Sequence, residues 1–354
     1  MTLEIVPFTA DSVAAVRAFN QRLGAHGIPA DQRFPETPDP GWMPGMELFL
    51  AVEDGMVRGG YILRRQSFSV GGETIHAAHY RLPISEGLID RAYSTLGLRM
   101  VRDALAREPR LYAMGMGGWE KPLPQMLKRL KWQMSAVPFH FKVVHPARFL
   151  RNIRVLRTSA IRRLALDAAA ITGAGWLGMK ALGMARRLPV QKVELASNFG
   201  AWADEVWGRS RGAYHVIGMR DARTVNELYP AGDTRFLSVR TAEGWALLLD
   251  TQMDDHKQFG GMRVGTIVDC LADPASASAV VRAAASVLEH RGVDLMVSNQ
   301  SHAAWSHALL DAGFRTGPSN YLVALSPAFA KAAGSAEASE FHFNRGDGDG
   351  PIHL

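Results

Sequence analysis

A chain of 354 residues is longer than one ordinary hydrophobic core and fits two domains. With 47% hydrophobic and 21% charged residues the composition is globular, neither low-complexity nor collagen-like. The single cysteine, Cys270, excludes an intramolecular disulfide and a Cys-based zinc cluster within the chain, and the opening Met-Thr-Leu-Glu-Ile-Val-Pro does not read as a signal peptide, so a cytoplasmic protein is expected.

The chain opens with a short strand at residues 3–8 and a helix from Ser12 to Leu23. A Pro-rich loop, Pro35 to Pro44, precedes three strand-like runs, Glu47 to Glu53, Val57 to Val70 and Thr74 to Ile84. The pairs Asp54-Gly55 and Gly71-Gly72 separate them, which predicts an antiparallel meander. Leu96, Met100, Val101 and Leu105 then recur at helical spacing, followed by a strand from Arg110 to Met116, a helix from Leu123 to Leu130 and a strand from Val137 to Val144.

The formal net charge of +6 is unevenly spread. Between Pro146 and Leu188 nine basic residues (Arg148, Arg151, Arg154, Arg157, Arg162, Arg163, Lys180, Arg186, Arg187) face one acid, Asp167. Four of these arginines recur every third residue, so on a helix they spread over about half the circumference. The apolar run from Leu164 to Met179 is shorter than the roughly 20 residues a bilayer span needs. The expectation is a basic helical connector at 146–189 that either links two domains or makes peripheral contact with an anionic membrane. Nucleic acid is not an expected partner, since interleaved stacking aromatics are lacking.

Beyond the connector the order recurs. A strand is predicted at Val190 to Ala196, helices at Gly200 to Trp207 and Ala222 to Leu228, and strands at Thr234 to Val239, Trp245 to Met253 and Arg263 to Leu271. A helix from Ser276 to His290, a strand from Asp294 to Ser298, a helix from His302 to Ala312 and a strand from Asn320 to Leu325 complete it. Glu-Leu-Phe49-Leu-Ala-Val52 matches Thr-Arg-Phe236-Leu-Ser-Val239, and Lys131-Trp132 matches Gly313-Phe314. This spacing implies a duplicated domain rather than a solenoid. The expected division is 1–145, the connector 146–189, 190–330 and a tail 331–354.

A meander leading into strand, helix, strand and helix resembles the GNAT superfamily of acyl-CoA-dependent N-acyltransferases. The most specific stretch runs from Asp294 through Asn299 and His302 to Gly313-Phe314. The resemblance implies an α/β fold of two GNAT-like domains, each a mixed, mostly antiparallel sheet flanked by helices. It also implies acyl-CoA as co-substrate, with the pyrophosphate held by backbone N–H groups at a helix start. The Gln/Arg-x-x-Gly-x-Gly/Ala loop of the family falls near Ala92 to Gly97 and near Asp273 to Ser278. Neither copy has the cationic head or the central glycine. The leaving-group tyrosine falls on Leu127 and Leu309, so another group must give that proton. The arrangement also bears a distant similarity to Fem-type transferases.

Acyl transfer to an amine needs a base, donors to the carbonyl and an acid for the leaving thiolate. Glu86, at the end of the fourth strand, is the candidate base, or else a cap of the following helix, and Tyr93 is the candidate acid or a residue lining the acceptor; Asp269 is the catalytic candidate of the second half. Ser94, Gly97, Gly117 and Gly118 in the first half, and Ala275, Ser276, Ser278 and Asn299 in the second, are the candidate donor-binding residues. Cys270 with His256 or His302 offers a nucleophilic pair, against a buried packing role for the cysteine. Asp254, Asp255 and His256 read as a solvated turn, and no metal is expected. Met114-Gly-Met-Gly-Gly118 lacks the spacing of a Walker loop or a dinucleotide fingerprint. The expected activity is N-acyl transfer to an amine such as an amino sugar or cell-envelope precursor. The alternative is an inactive GNAT-fold scaffold or ligand sensor.

Overall fold

The structure, a computed structural model, describes residues 3–37, 45–157, 159–172, 177, 178 and 193–349. Trp176, Lys180, Arg186, Arg187, part of the Pro-rich loop and the last residues of the tail lie outside these. Two compact units emerge, Met1–Ser135 with Leu322–Ser335, and Ala136–Tyr321 with Ala336–Leu354.

The elements run β1 (Glu4–Pro7), α1 (Val13–Ala25), β2 (Met46–Glu53), β3 (Met56–Val70), β4 (Glu73–Ser85), α2 (Leu96–Arg107), β5 (Leu111–Gly115), α3 (Pro122–Arg129), β6 (Gln133–Ala136) and β7 (Phe139–Val143). There follow α4 (Pro146–Asn152), α5 (Ala160–Ile171), β8 (Glu194–Ala196), α6 (Ala201–Ser210), β9 (Val216–Gly218), α7 (Ala222–Leu228), β10 (Phe236–Arg240), β11 (Gly244–Gln252) and β12 (Arg263–Ala272). The last are α8 (Ala277–His290), β13 (Leu295–Asn299), α9 (Ala303–Asp311), β14 (Arg315–Gly317), β15 (Leu322–Leu325), α10 (Pro327–Ala333) and β16 (Phe341–His342).

In the first unit the strand order is β1-β2-β3-β4-β5-β15-β6. The β2-β3-β4 meander is antiparallel and turns through Asp54-Gly55 and Gly71-Gly72, all four at positive φ. α2 lays Leu96, Met100, Val101 and Ala104 against Tyr61, Tyr80 and Leu111 of the sheet. In the second unit the order is β14-β7-β13-β12-β11-β10-β8, and β9 and β16 form a separate parallel pair. Here α8 buries Val280, Val281, Ala284 and Leu288 in a core with Trp245, Leu247 and Val268.

Read from the edge inwards, the two sheets repeat each other: β1, β2, β3, β4, β5 in one, β8, β10, β11, β12, β13 in the other. The next position holds the difference from the sequence-based division. The first sheet takes β15, antiparallel to β5, and the second takes β7, antiparallel to β13. Residues 136–145 and 322–330 have therefore changed places relative to the expected boundaries. Alternation marks a segment as a strand and does not name its neighbour. The 146–189 segment contributes α4 and α5 to the second unit, and α5 is N-capped by Ser159, whose Oγ accepts from the Arg162 N–H.

The tail is also corrected. Residues 331–335 complete the first unit through α10, and Phe341, His342, Phe343, Asn344 and Asp347 are buried in the second. Two fully buried phenylalanines are worth about 1.5–3 kcal/mol each.

Candidate functional site

The feature shared by both units is a parallel pair that parts company. In the first, β4 pairs with β5 only at Ala78–Leu111 and His79–Tyr112, and β4 then continues to Ser85. Its register against β3 slips there, and Leu82 adopts a positive φ of 47°. In the second, β12 pairs with β13 from Val264–Leu295 to Ile267–Ser298, then slips in register against β11 beside Val268. Such a bulge bends the strand and frees backbone groups from the ladder. Each unit thus has a splayed strand followed by a helix start, α2 in one and α8 in the other.

Beside the first splay lies an ion-pair network. Glu86, in a 3-10 turn directly after β4, is buried and held by Arg22 (Nε to Oε1, 2.9 Å) and Arg58 (Nη1 to Oε2, 2.9 Å). Arg58 also approaches Glu53 at 3.4 Å and stacks over the Tyr93 ring, 4.9 Å from its centroid. The Tyr93 hydroxyl donates to Glu53 at 2.6 Å. That hydrogen bond holds the Tyr93 pKa above its ordinary value, so the phenol keeps its proton. The structure therefore joins Glu86 to Tyr93 through Arg58 and Glu53, two residues that sequence reasoning missed. Two guanidiniums on one carboxylate fit positioning better than proton abstraction.

Ser94 is exposed and Gly97 half-buried at the start of α2, whose N-cap, Thr95, makes no side-chain cap hydrogen bond. Gly117 and Gly118 follow β5 in a run, Gly115 to Gly118, in which all four residues have positive φ, Met116 included. A run of left-handed residues brings successive N–H groups to one side, and glycine adopts it without strain.

In the second unit Asp269 is not placed as a base. It is fully buried, and both its oxygens are engaged. Arg220 Nε lies 2.8 Å from Oδ2, the Tyr229 hydroxyl donates to Oδ2 at 2.8 Å, Asn344 Nδ2 donates to Oδ1 at 2.8 Å, and the Cys270 N–H donates to Oδ1 at 2.9 Å. Burial raises the Asp269 pKa, and Arg220 opposes that rise. Arg220 also binds Asp347 at 2.6 Å, so one buried cation ties a strand residue to the tail. The alternation Phe341-His-Phe343 in the tail was the signal for this, a short buried strand in a run otherwise rich in Gly and Asp.

The Cys–His pair does not form. Cys270 is buried, its thiol pushed far above its usual pKa by burial, and its sulfur accepts from Gln300 Nε2 at 3.4 Å. His302 caps α9 by accepting from the Ala304 N–H, and burial takes its pKa down to about 4. His256 Nδ1 accepts from the Gln258 and Phe259 N–H groups, and neighbouring Asp255 pairs with Arg154. Asn299 is buried with its Oδ1 taken by Arg345 at 3.3 Å, which removes it from the donor-binding candidates. At α8, Asp273 accepts from the Ala275 N–H in the turn Pro274–Ser276, so a carboxylate sits where Ala275, Ser276 and Ser278 were expected to meet a phosphate.

No family model and no curated protein matches the sequence. Among solved structures the chain is similar to N-myristoyltransferase of Saccharomyces cerevisiae with bound myristoyl-CoA, with a TM-score of 0.56 over 100% of this chain and 86% of that one at 10% identity. A structure of the same enzyme with myristoyl-CoA and inhibitors gives 0.52 over 92% and 79% at 9% identity. A conserved protein of Enterococcus faecalis V583, described as a probable N-acyltransferase, gives 0.52 over 92% and 72% at 8% identity. Likeness at such identities is likeness of fold. The chain has a tandem GNAT-like fold, two mixed, mostly antiparallel sheets flanked by helices.

Proposed function

We propose that this chain is an N-acyltransferase that holds an acyl-CoA in its first unit and passes the acyl group to an amine. The observation that carries the reading is the coincidence, in one unit, of a bulged and splayed β4, an α2 start free of acids in its first turn, and the Glu86–Arg58–Glu53–Tyr93 network. The match over the full chain to a fold seen with myristoyl-CoA supports it. The N–H groups around Ser94 and Gly97 receive the pyrophosphate, with Gly117 and Gly118 lining the approach. The amine attacks the thioester carbonyl, the C–S bond breaks, Tyr93 gives its proton to the leaving thiolate, and the proton shed by the nitrogen restores the Tyr93 hydroxyl. Glu86 fixes Arg58 and, through it, the tyrosine ring.

Thermal unfolding with acetyl-CoA, longer acyl-CoAs and free CoA tests the reading. Ligand at a hundred times its Kd raises stability by about 2.7 kcal/mol. A flat melting temperature at millimolar concentrations of all three would refute it. Tyr93→Phe is expected to lower kcat by about 10²–10⁴-fold with KM for the donor little changed. Full kcat in that variant removes Tyr93 from the reaction.

We further propose an acceptor at an anionic membrane, of the amino-sugar or envelope-precursor kind. On α5, Ile161, Leu164 and Ile171 are 82%, 73% and 73% exposed and share one face. Arg162 and Arg163 lie on the same helix to either side of the apolar stripe. Apolar and cationic surface together match an anionic lipid layer.

A further inference from the structure

We infer that the tail segment Phe341–Asp347 occupies, inside the second unit, the slot that a donor arm would need, so that the chain takes a single donor equivalent, in its first unit. The inference rests on the acyl-donor reading above. Where β12 and β13 part after Ile267–Ser298, the tail is bonded to both lips of the opening. On the β12 side, His342 Nε2 donates to the Cys270 carbonyl at 2.8 Å and Asn344 Nδ2 donates to Asp269. On the β13 side, Asn344 forms a bridge with Gln300, the Ser301 N–H donates to the Phe343 carbonyl at 2.9 Å, and the Phe343 N–H donates to Ser301 Oγ at 2.7 Å. An extended, amide-bearing ligand adds to a splayed strand through free backbone groups, by strand addition. Here the Cys270 carbonyl is already taken by the His342 ring and the Ser301 N–H by the Phe343 carbonyl.

Side chains hold the segment in place. The His342 ring lies between Tyr214 (4.7 Å) and Trp305 (5.6 Å), nearly parallel to both. Tyr214 in turn donates to the Ala272 carbonyl at 2.6 Å and accepts from Trp305 Nε1 at 2.9 Å. Asp347 is locked to Arg220, and Gly346 is pressed against Asp269 and Tyr229.

Two measurements on the full chain test the inference. Calorimetric titration with CoA is expected to give one equivalent, and both Gly97→Glu and Ser94→Glu, with folding checked by circular dichroism, are expected to weaken it at least tenfold. Amide exchange is expected to protect residues 341–347 as strongly as β12. Two equivalents, or undiminished binding in both variants, overturns the single-site assignment. Fast exchange of the tail overturns the plug whatever CoA does. Slow exchange with no CoA bound at any concentration overturns the donor reading, and the segment is then a structural strand only.

Discussion

Gly346 sits where no side chain fits: a Cβ built there would collide with the Asp269 carboxylate and the Tyr229 hydroxyl. The same contact makes Asp269 a strut between strand and tail. Asp269→Asn leaves Arg220 without half of its compensation, and breaking a buried ion pair costs about 3–5 kcal/mol. A lower urea midpoint with unchanged turnover per folded molecule is expected, and lost turnover in a fully stable protein would restore the carboxylate to chemistry. His342 carries a pH dependence of its own. Its Nε2–H donates to a carbonyl, its Nδ1 is buried with no partner among the described residues, and burial takes its pKa down to about 4. The unfolded chain gains a proton near pH 6.5 and the folded chain near 4, so stability is full above 6.5 and falls as the pH drops through this window, by up to about 3 kcal/mol from this group. Urea midpoints from pH 7 to 4 should decline, and less steeply in His342→Gln. Equal slopes would show that the ring is not held neutral.

At the level of elements, the sequence pattern was enough for β2, β3, β4, α2, β12 and α8, because each spans at least eight residues. It failed for β9, β14 and β16, which have two or three residues, too few to show a period. The candidate site divided along the same line. Glu86 and Tyr93 were legible because they border a turn after a long strand. Arg58, Glu53, Arg220 and Asn344 were not, since pairing between distant strands leaves no local mark. For α5, the exposed stripe makes a direct prediction: the full chain pelleted with anionic vesicles at low salt should be lost to the supernatant in Ile161→Asp/Leu164→Asp. Equal pelleting of this variant, or none with the parent chain, removes the membrane reading.

For the whole chain, the exchanged strands mean that neither sequence half contains a complete sheet. Residues 1–145 lack β15 and α10, and the β5 edge left bare carries Leu111, Tyr112 and Ala113, all buried in the full chain. A fragment of residues 1–145 is expected to be expanded or aggregated, with poorly dispersed amide resonances. Appending residues 322–335 through a flexible linker should restore dispersion. A well-dispersed spectrum from the unextended fragment would show that β15 is dispensable.

The distance along the chain from β5 to β15 has a consequence for synthesis. Roughly 200 residues separate them, and at about 5–20 residues per second a nascent first sheet waits on the order of 10–40 s for its missing neighbour. During that interval it presents an unpaired, apolar strand edge, the surface on which chains stick to one another. Production of this protein should therefore respond to slower initiation, lower temperature or extra chaperone more than its finished stability suggests.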